Sequence, residues 1–213
     1  MSREGRKIFL YTRFERFWQW VQALLVLLLI LTGFEIPGSW SLLGFEAAHE
    51  VHVYCAWAWL ILYIFVVFWL FTTGECKQYI PTFRKLFEVI WFYIFGIFTG
   101  KPHPVPKTRG AKHNPLQRLT YLGVVSLLVP LQLITGFFAY YYTSWPQHWA
   151  ASLETVAVLH TAGGFAFILF TIVHIYMTTT GHTVGAHIKA MLTGWELIPD
   201  SESVGDWETR SKC

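Results

Sequence analysis

Two histidines interrupt the last long apolar stretch of the chain, approximately Leu153–Thr180. They are His160 and His174, 14 residues apart, which is close to four helical turns. In a helix both imidazoles project from nearly the same face, about 21 Å apart along the axis. Ionisable side chains within a bilayer are costly and are usually functional. The spacing therefore indicates ligands at two depths of a membrane helix.

A second histidine pair opens the second apolar stretch. His49 and His52 lie one turn apart in AAHEVHVYCAWAWL and share a helical face. The second and fourth stretches would cross in the same direction, so His52 and His160 are expected at similar depth. Two neutral imidazoles from facing helices suit the axial ligation of haem iron. The sequence lacks a CxxCH attachment motif, so the predicted cofactor is non-covalent haem b. His49, nearer water, is assigned to hydrogen bonding around the haem, to its propionates or to the surface.

The elements that must position these histidines are membrane helices. The chain is 54% hydrophobic and 14% charged, with a mean hydropathy of +0.41. A hydrocarbon core of about 30 Å needs roughly 20 apolar residues, and only a helix satisfies the backbone there. Four runs qualify, approximately Phe17–Phe34, Ala47–Phe71, Leu119–Tyr142 and Leu153–Thr180. We predict an all-α, integral membrane four-helix bundle, with an extra interfacial helix near Leu86–Phe98 in the loop between helices 2 and 3.

The cations give an orientation. All 16 lysines and arginines precede helix 1, lie between helices 2 and 3, or follow helix 4. The loops 35–46 and 143–152 contain none. By the positive-inside rule both termini are cytoplasmic, and the predicted location is the bacterial cytoplasmic (inner) membrane. The net charge of +3 thus reflects topology and predicts no nucleic-acid partner.

The chain divides into a four-helix transmembrane domain, residues 1–200, and a cytoplasmic tail, residues 201–213. A loop rich in Pro, Gly and Lys carries His103 and His113, which we expect to be solvated. After helix 4 the run HIKAML, with Trp195, is expected to lie along the inner surface as an amphipathic segment.

The remaining spans carry weaker signals. Helix 3 contains Pro130 and Gln132 but no histidine, so its predicted role is architectural. Gly33 in helix 1 and Gly136 in helix 3 would let a flat ring or a neighbouring backbone approach closely. Small residues at helix contacts have the same use without a cofactor.

Three stretches carry a resemblance to a known family: TRFERFWQWVQALLVLLLILTGFEI, TTGECKQYIPT and HIYMTTTGHTVGAHIKAMLTGWE. The chain resembles the four-helix di-haem cytochrome b subunits of bacterial respiratory enzymes. These include formate dehydrogenase gamma subunits, nickel-iron hydrogenase cytochromes b and, most closely, thiosulfate-reductase-type cytochromes b. The resemblance implies that His52 and His160 bind an outer haem, and that His174 binds an inner haem together with a histidine from helix 1.

One departure from that family concerns the inner haem. The helix-1 ligand normally occurs as RFWHW, whereas this chain has Arg16-Phe17-Trp18-Gln19-Trp20. The amide of glutamine is a poor ligand for haem iron. Three outcomes stay open: a five-coordinate haem on His174, a haem with another ligand, or no inner haem. We expect one or two haems b, with two favoured.

The predicted function is a cytochrome subunit that transfers electrons between an extracytoplasmic redox partner and the quinone pool. The partner would be an iron-sulfur, molybdopterin, hydrogenase or multihaem cytochrome c subunit, and menaquinone or ubiquinone the diffusible substrate. Candidate quinone-binding residues near the inner haem are Glu15, Gln19, His182 and His187. Two alternatives stay open: a membrane anchor or assembly subunit with one haem or none, which Gln19 favours, and a haem-based sensor with an open iron at His174.

Overall fold

The computed structural model describes residues 5–101, 103–105, 111–144, 152–181 and 183–199. In chain order the helices are α1 (Arg13–Glu35), α2 (Phe45–Thr73), α3 (Leu86–Ile94), α4 (Pro115–Gly123), α5 (Val129–Tyr140), α6 (Leu153–Thr178) and α7 (Ala186–Thr193). Helices α1, α2 and α6 and the continuous stretch Pro115–Tyr140 are long and apolar enough to cross a membrane. The predicted four-helix membrane bundle is therefore confirmed.

The third span, Pro115–Tyr140, contains a π-helical turn between α4 and α5, at Val124–Leu128. A π turn disturbs the regular i to i−4 ladder and leaves main-chain carbonyls in need of other donors. The hydroxyl of Tyr63 in α2 donates to the carbonyl oxygen of Val125 at 2.9 Å. Pro130 lies within this continuous span and has no N–H to donate, so a carbonyl of the preceding turn lacks its helical donor. A side chain of α2 thus satisfies the backbone where the third span departs from α geometry.

A helix in the loop between the second and third spans is also confirmed. It comprises α3, followed by a 3-10 turn at Gly96–Thr99, close to the predicted range. Val89 is fully buried, whereas Phe87 is 82% exposed and Trp91 61% exposed. An exposed apolar face is what a helix lying at a membrane surface would present. Its interfacial location stays a prediction.

A two-stranded antiparallel sheet was not predicted. Strand β1 (Gly5–Phe9) pairs with strand β2 (Trp195–Pro199). In the segment after α6, only α7 is helical. Gly194 ends α7 with a φ of 88°, and β2 begins at the next residue, Trp195. A glycine in the left-handed region is a common helix stop. The amphipathic segment predicted to include Trp195 is thus shorter than expected.

The chain forms two compact units. The hairpin unit, residues 18–66 and 124–173, contains two helical hairpins, and its core is built on Trp59, Val124, Val129 and Phe167. The rings of Trp59 and Phe167 meet edge to face, 5.4 Å between centres. The terminal unit comprises residues 1–17, 67–123 and 174–213. The predicted tail, residues 201–213, lies outside the described residues.

The terminal unit contains a buried ion-pair cluster. Lys112 is 4% exposed, and its Nζ lies 2.7 Å from Glu15 Oε1 and 3.1 Å from Glu75 Oε2. Glu15 also accepts a hydrogen bond from the main-chain N–H of Thr12, whose hydroxyl accepts the N–H of Glu15 in return. This reciprocal pair is a capping box at the start of α1. Gln78 Oε1 accepts the main-chain N–H of Lys112. The cluster therefore ties the start of α1 to two loop segments.

Replacing Lys112 with methionine is expected to lower the free energy of unfolding by about 3 kcal/mol, because two partly buried carboxylates lose their cation. Chemical unfolding of the purified protein in detergent, followed by far-ultraviolet circular dichroism, measures this loss. Lys101→Met is the matched control, since Lys101 is an exposed lysine of the same loop. An equal effect of the two substitutions would contradict the prediction.

Candidate functional site

The structure brings together two of the histidines that the sequence pairs. His52 lies in the second turn of α2 and His160 in the second turn of α6, both in the hairpin unit. Their ring centres are 6.2 Å apart, and the ring planes are inclined by 70°. Both residues are half-buried. Two imidazoles from different helices therefore meet at one place.

This separation is compatible with one metal ion between the two rings. A metal–nitrogen bond of about 2 Å on each side, with roughly 1 Å from each nitrogen to its ring centre, gives about 6 Å between centres. Within the described residues no cluster of three or more His, Cys, Asp or Glu side chains could hold a metal. The donor set fits a haem, whose macrocycle would supply the remaining ligands while His52 and His160 would hold the iron.

A threonine hydroxyl contacts each ring. Thr32 Oγ1 in α1 lies 3.0 Å from His52 Nδ1, and Thr135 Oγ1 in α5 lies 2.9 Å from His160 Nδ1. Both threonines are nearly inaccessible, at 2% and 6% exposed. Neither threonine was predicted as a site residue, because a threonine in an apolar helix does not by itself indicate a ligand-binding site. The shared tripeptide Thr-Gly-Phe at 32–34 and 135–137 is the one pattern that points to them.

The glycine after each threonine makes room for the same ring. A Cβ atom at Gly33 would lie 3.1 Å from His52 Cε1, and one at Gly136 would lie 3.2 Å from His160 Cε1. Both distances are tighter than ordinary carbon contacts, so a side chain at either position would displace the imidazole. The flat rings that approach these glycines are thus the histidines themselves.

The third span contributes to this site directly, beyond the architectural role predicted for it. Gln132 is buried, and its Nε2 donates to the main-chain carbonyl of His160 at 2.8 Å. Gly163 leaves the space for that amide, since a Cβ there would lie 2.1 Å from Gln132 Nε2. A hydrogen bond between spans is favourable where no water competes. One turn of α5, Gln132 to Thr135, therefore holds both the backbone and the side chain of His160.

His49 does not join the pair. It is exposed, with its ring centre 6.5 Å from that of Tyr140 and 6.2 Å from that of Phe45. The predicted alternatives for His49, a group near the haem or its propionates and a surface residue, therefore both stay predictions.

His174 lies in the terminal unit, in contact with an aromatic cluster. The ring centre of Tyr121 lies 6.3 Å from that of His174 and 5.0 Å from that of His113. Tyr79 belongs to the same group, with its ring centre 5.3 Å from that of His113 and 6.2 Å from that of Tyr121. Burial raises the pKa of Tyr79 above its ordinary value.

Two histidines expected in solvent are instead packed. His113 is half-buried against Tyr79 and Tyr121. His103 Nδ1 lies 2.7 Å from the carbonyl oxygen of Val105, and its Nε2 lies 3.3 Å from the hydroxyl of Tyr93. Burial raises the pKa of Tyr93 to about 12. The prediction of solvated histidines was wrong, because the loop packs on the aromatic side chains of Tyr79, Tyr93 and Tyr121 in the neighbouring helical segments.

The residues proposed for quinone binding have varied surroundings. Glu15 takes part in the capping box and the Lys112 cluster. His187 Nδ1 lies 3.1 Å from Glu196 Oε1. Gln19 is half-buried in α1, in the hairpin unit. His182 lies outside the described residues.

Four membrane-spanning helices around a facing histidine pair, without a covalent attachment motif, define a membrane b-type cytochrome. Comparison with known proteins gives the same class. Residues 10–194 match the sequence profile described as prokaryotic cytochrome b561. The chain belongs to the prokaryotic cytochrome b561 family.

Curated relatives cover most of the chain. The chain is 32% identical over 200 residues to a putative cytochrome YdhU of Escherichia coli (strain K12), covering 90% of this chain and 75% of the relative. It is 25% identical over 225 residues to a probable Ni/Fe-hydrogenase B-type cytochrome subunit of Rhizobium leguminosarum bv. viciae, covering 93% and 92%. A probable Ni/Fe-hydrogenase B-type cytochrome subunit of Rhodobacter capsulatus is 21% identical over 229 residues, covering 93% of this chain and 84% of the relative.

Proposed function

We propose that this chain is the membrane electron-transfer subunit of a respiratory complex and holds a haem b between His52 and His160. The observation that carries the proposal is the 6.2 Å separation of the two rings, each backed by a buried threonine and a glycine. Haem b, when bound, supplies reversible one-electron chemistry. The protein residues bind and orient that group, and the apolar helices around it keep water away.

A second haem is proposed at His174, which is the other histidine of α6 and lies 14 residues further along the helix. Its second ligand stays open, because Gln19 stands at the position where the resemblance described above implies a histidine. Menaquinone or ubiquinone is proposed to react near this histidine, with Glu15, Gln19, His182 and His187 as candidate contacts. Tyr121 and His113 join these candidates on the strength of the ring contacts that connect them to His174.

The proposed partner is an extracytoplasmic redox subunit. Several relatives are named as cytochrome subunits of Ni/Fe hydrogenases, which supports a hydrogenase as one candidate partner. Iron-sulfur, molybdopterin and multihaem cytochrome c subunits are the other candidates. The cation distribution supports cytoplasmic termini in a bacterial inner membrane. The partner would then meet the face that carries the loops 35–46 and 143–152, which contain no lysine or arginine.

Haem quantification tests this proposal. The protein is purified in mild detergent with its co-purifying subunits, and protohaem is counted per chain from a pyridine extract. A quinol is then added, and haem reduction is followed optically. One or two haems per chain that a quinol reduces are the expected result. If the folded, partner-bound protein contained no haem, a membrane anchor or assembly subunit would be the only function left among those considered.

The substitution Gln19→His tests the open coordination at His174. If position 19 faces a haem on His174, the added imidazole should convert a high-spin signal into a low-spin one, because two strong axial nitrogen ligands favour the low-spin state. Electron paramagnetic resonance of the oxidised protein measures the change. The conservative variant Gln19→Asn introduces no imidazole and should leave the signal as in the wild type. An unchanged spectrum in Gln19→His would mean that position 19 does not face a haem.

A further inference from the structure

The two hairpins of the hairpin unit use one arrangement twice. In the first hairpin, Thr32 and Gly33 near the end of α1 face His52 in α2. In the second, Thr135 and Gly136 in α5 face His160 in α6. The sequence separations from threonine to histidine are 20 and 25 residues. The same tripeptide thus meets the same atom of a histidine in the following helix.

The direction of each threonine–histidine hydrogen bond follows from where the hydroxyl proton goes. Thr32 Oγ1 donates to the carbonyl oxygen of Leu28 at 2.7 Å, and Thr135 Oγ1 donates to that of Leu131 at 2.6 Å. A hydroxyl has one proton, so once it is donated to the helix the oxygen acts as an acceptor. The histidine Nδ1 must then carry the hydrogen.

We propose that Thr32 and Thr135 are a matched pair of positioning residues that hold His52 and His160 in the Nδ1–H tautomer, with the Nε2 lone pairs directed at the haem iron. This inference rests on the proposed haem site. A neutral imidazole carries one proton, so fixing it on Nδ1 leaves Nε2 as the metal-binding nitrogen. No hydrogen bond in the described residues uses either Nε2 atom. A hydrogen bond donated by Nδ1 also makes the ring a more basic ligand.

The two glycines serve the same arrangement. Each lets its imidazole lie against the preceding helix, which keeps Nδ1 within reach of the threonine oxygen. Because a more basic ligand favours ferric over ferrous iron, both threonines should lower the reduction potential of the haem. The effect of the pair is therefore on redox potential and ring orientation, rather than on packing alone.

The test compares haem-loaded variants of the full chain by redox potentiometry. Thr32→Val and Thr135→Val keep the side-chain shape and remove the hydroxyl, and Thr32→Ser and Thr135→Ser retain it. Loss of one such contact changes metal affinity by about tenfold to a hundredfold. If ferric affinity falls tenfold more than ferrous affinity, the one-electron potential rises by about 59 mV. We expect that rise in each valine variant, about twice that in the double variant, and near wild-type potentials in both serine variants.

The matched control is Thr72→Val. Thr72 Oγ1 donates to the carbonyl of Phe68 four residues earlier, as Thr32 and Thr135 do in their helices, but it contacts no histidine in the described part of the chain. Its substitution should leave the potential unchanged. Valine variants that keep their haem at the wild-type potential would overturn the inference, and so would a shift in Thr72→Val as large as theirs.

A second measurement remains informative when a variant loses its haem. Nitrogen-15 spectra of histidine-labelled protein distinguish the two tautomers without relying on redox activity. We expect the Nδ1–H form for His52 and His160 in the wild type, and a mixture in the valine variants even when haem is lost. An Nε2–H form in the wild type without haem would overturn the threonine role. Absence of haem from the wild type overturns the proposed function alone, because the tautomer can still be read.

Discussion

The variant His160→Ala is expected to lose the haem held between the two hairpins, with less than about a tenth of the wild-type haem left at that site. Removing a ligand of the iron should lower haem affinity more than removing a group that only supports a ligand, which already lowers affinity at least tenfold. The methyl side chain cannot reach the metal position, and His52 alone does not satisfy a low-spin iron. The haem-to-protein ratio and the reduced-minus-oxidised spectrum of the purified variant measure the loss. His52→Ala should give the same result, since the two rings stand in equivalent surroundings.

The control for both variants is Tyr54→Ala. Tyr54 lies two residues after His52 on the same helix and is 71% exposed, and no role at the haem is proposed for it. Its removal should leave the haem content at the wild-type level. Retention of a bis-imidazole spectrum in His160→Ala would contradict the assignment, whatever the control gives.

The variant His174→Ala is expected to keep the haem bound by His52 and His160. Reduction of that haem by a quinol should slow by about a hundredfold, because even the loss of a group that only supports a metal ligand lowers activity by up to about that factor. His174 lies in the terminal unit, whereas the threonines, glycines and amide that hold the other pair all lie in the hairpin unit. The substitution therefore leaves the contacts of that pair in place. Stopped-flow mixing of the oxidised variant with a quinol, followed at the haem absorbance, measures the rate.

Ile175→Ala provides the control for this experiment. Ile175 is the neighbouring residue on α6 and is 58% exposed, so its truncation removes an apolar side chain without touching the His174 ring. A wild-type rate in Ile175→Ala with a slow rate in His174→Ala is the expected outcome. An unchanged quinol reaction in His174→Ala would place quinone chemistry elsewhere in the chain.

The helices could be predicted because a bilayer imposes simple conditions on sequence. Each span must be about 20 residues long, apolar and helical, so length and hydropathy suffice to find it. The pairing of His52 with His160 also followed from the sequence, since two helices that cross in the same direction place equivalent positions at equal depth. Histidine is conspicuous in such a setting, because ionisable residues are rare in apolar spans.

The surroundings of the histidines could not be predicted in the same way. Thr32 and Thr135 donate to their own helices, and only the folded chain brings their oxygens to within 3.0 Å of a ring nitrogen. Threonine is common in membrane helices, so its presence there indicates nothing without that contact. The repeated Thr-Gly-Phe tripeptide becomes informative only once both histidines are seen to face it.

Long-range contacts account for the other differences. The strands β1 and β2 are far apart in the sequence, and neither GRKIF nor WELIP shows the strict apolar–polar alternation that predicts a strand. His113 lies in a loop rich in Pro and Gly, which usually indicates solvent exposure, yet aromatic side chains from two other segments cover it. Both differences depend on a partner elsewhere in the chain: Trp195–Pro199 for β1, and Tyr79 for His113.

The binding of one haem iron by imidazoles from both α2 and α6 can be tested at the metal itself. Near-infrared magnetic circular dichroism of the oxidised, partner-bound protein reports the pair of axial ligands directly. We expect the charge-transfer band of a bis-imidazole haem in the wild type and in His174→Ala, and its absence from His52→Ala and His160→Ala. A band typical of another ligand pair, or a bis-imidazole band that survives loss of His52, would contradict this expectation.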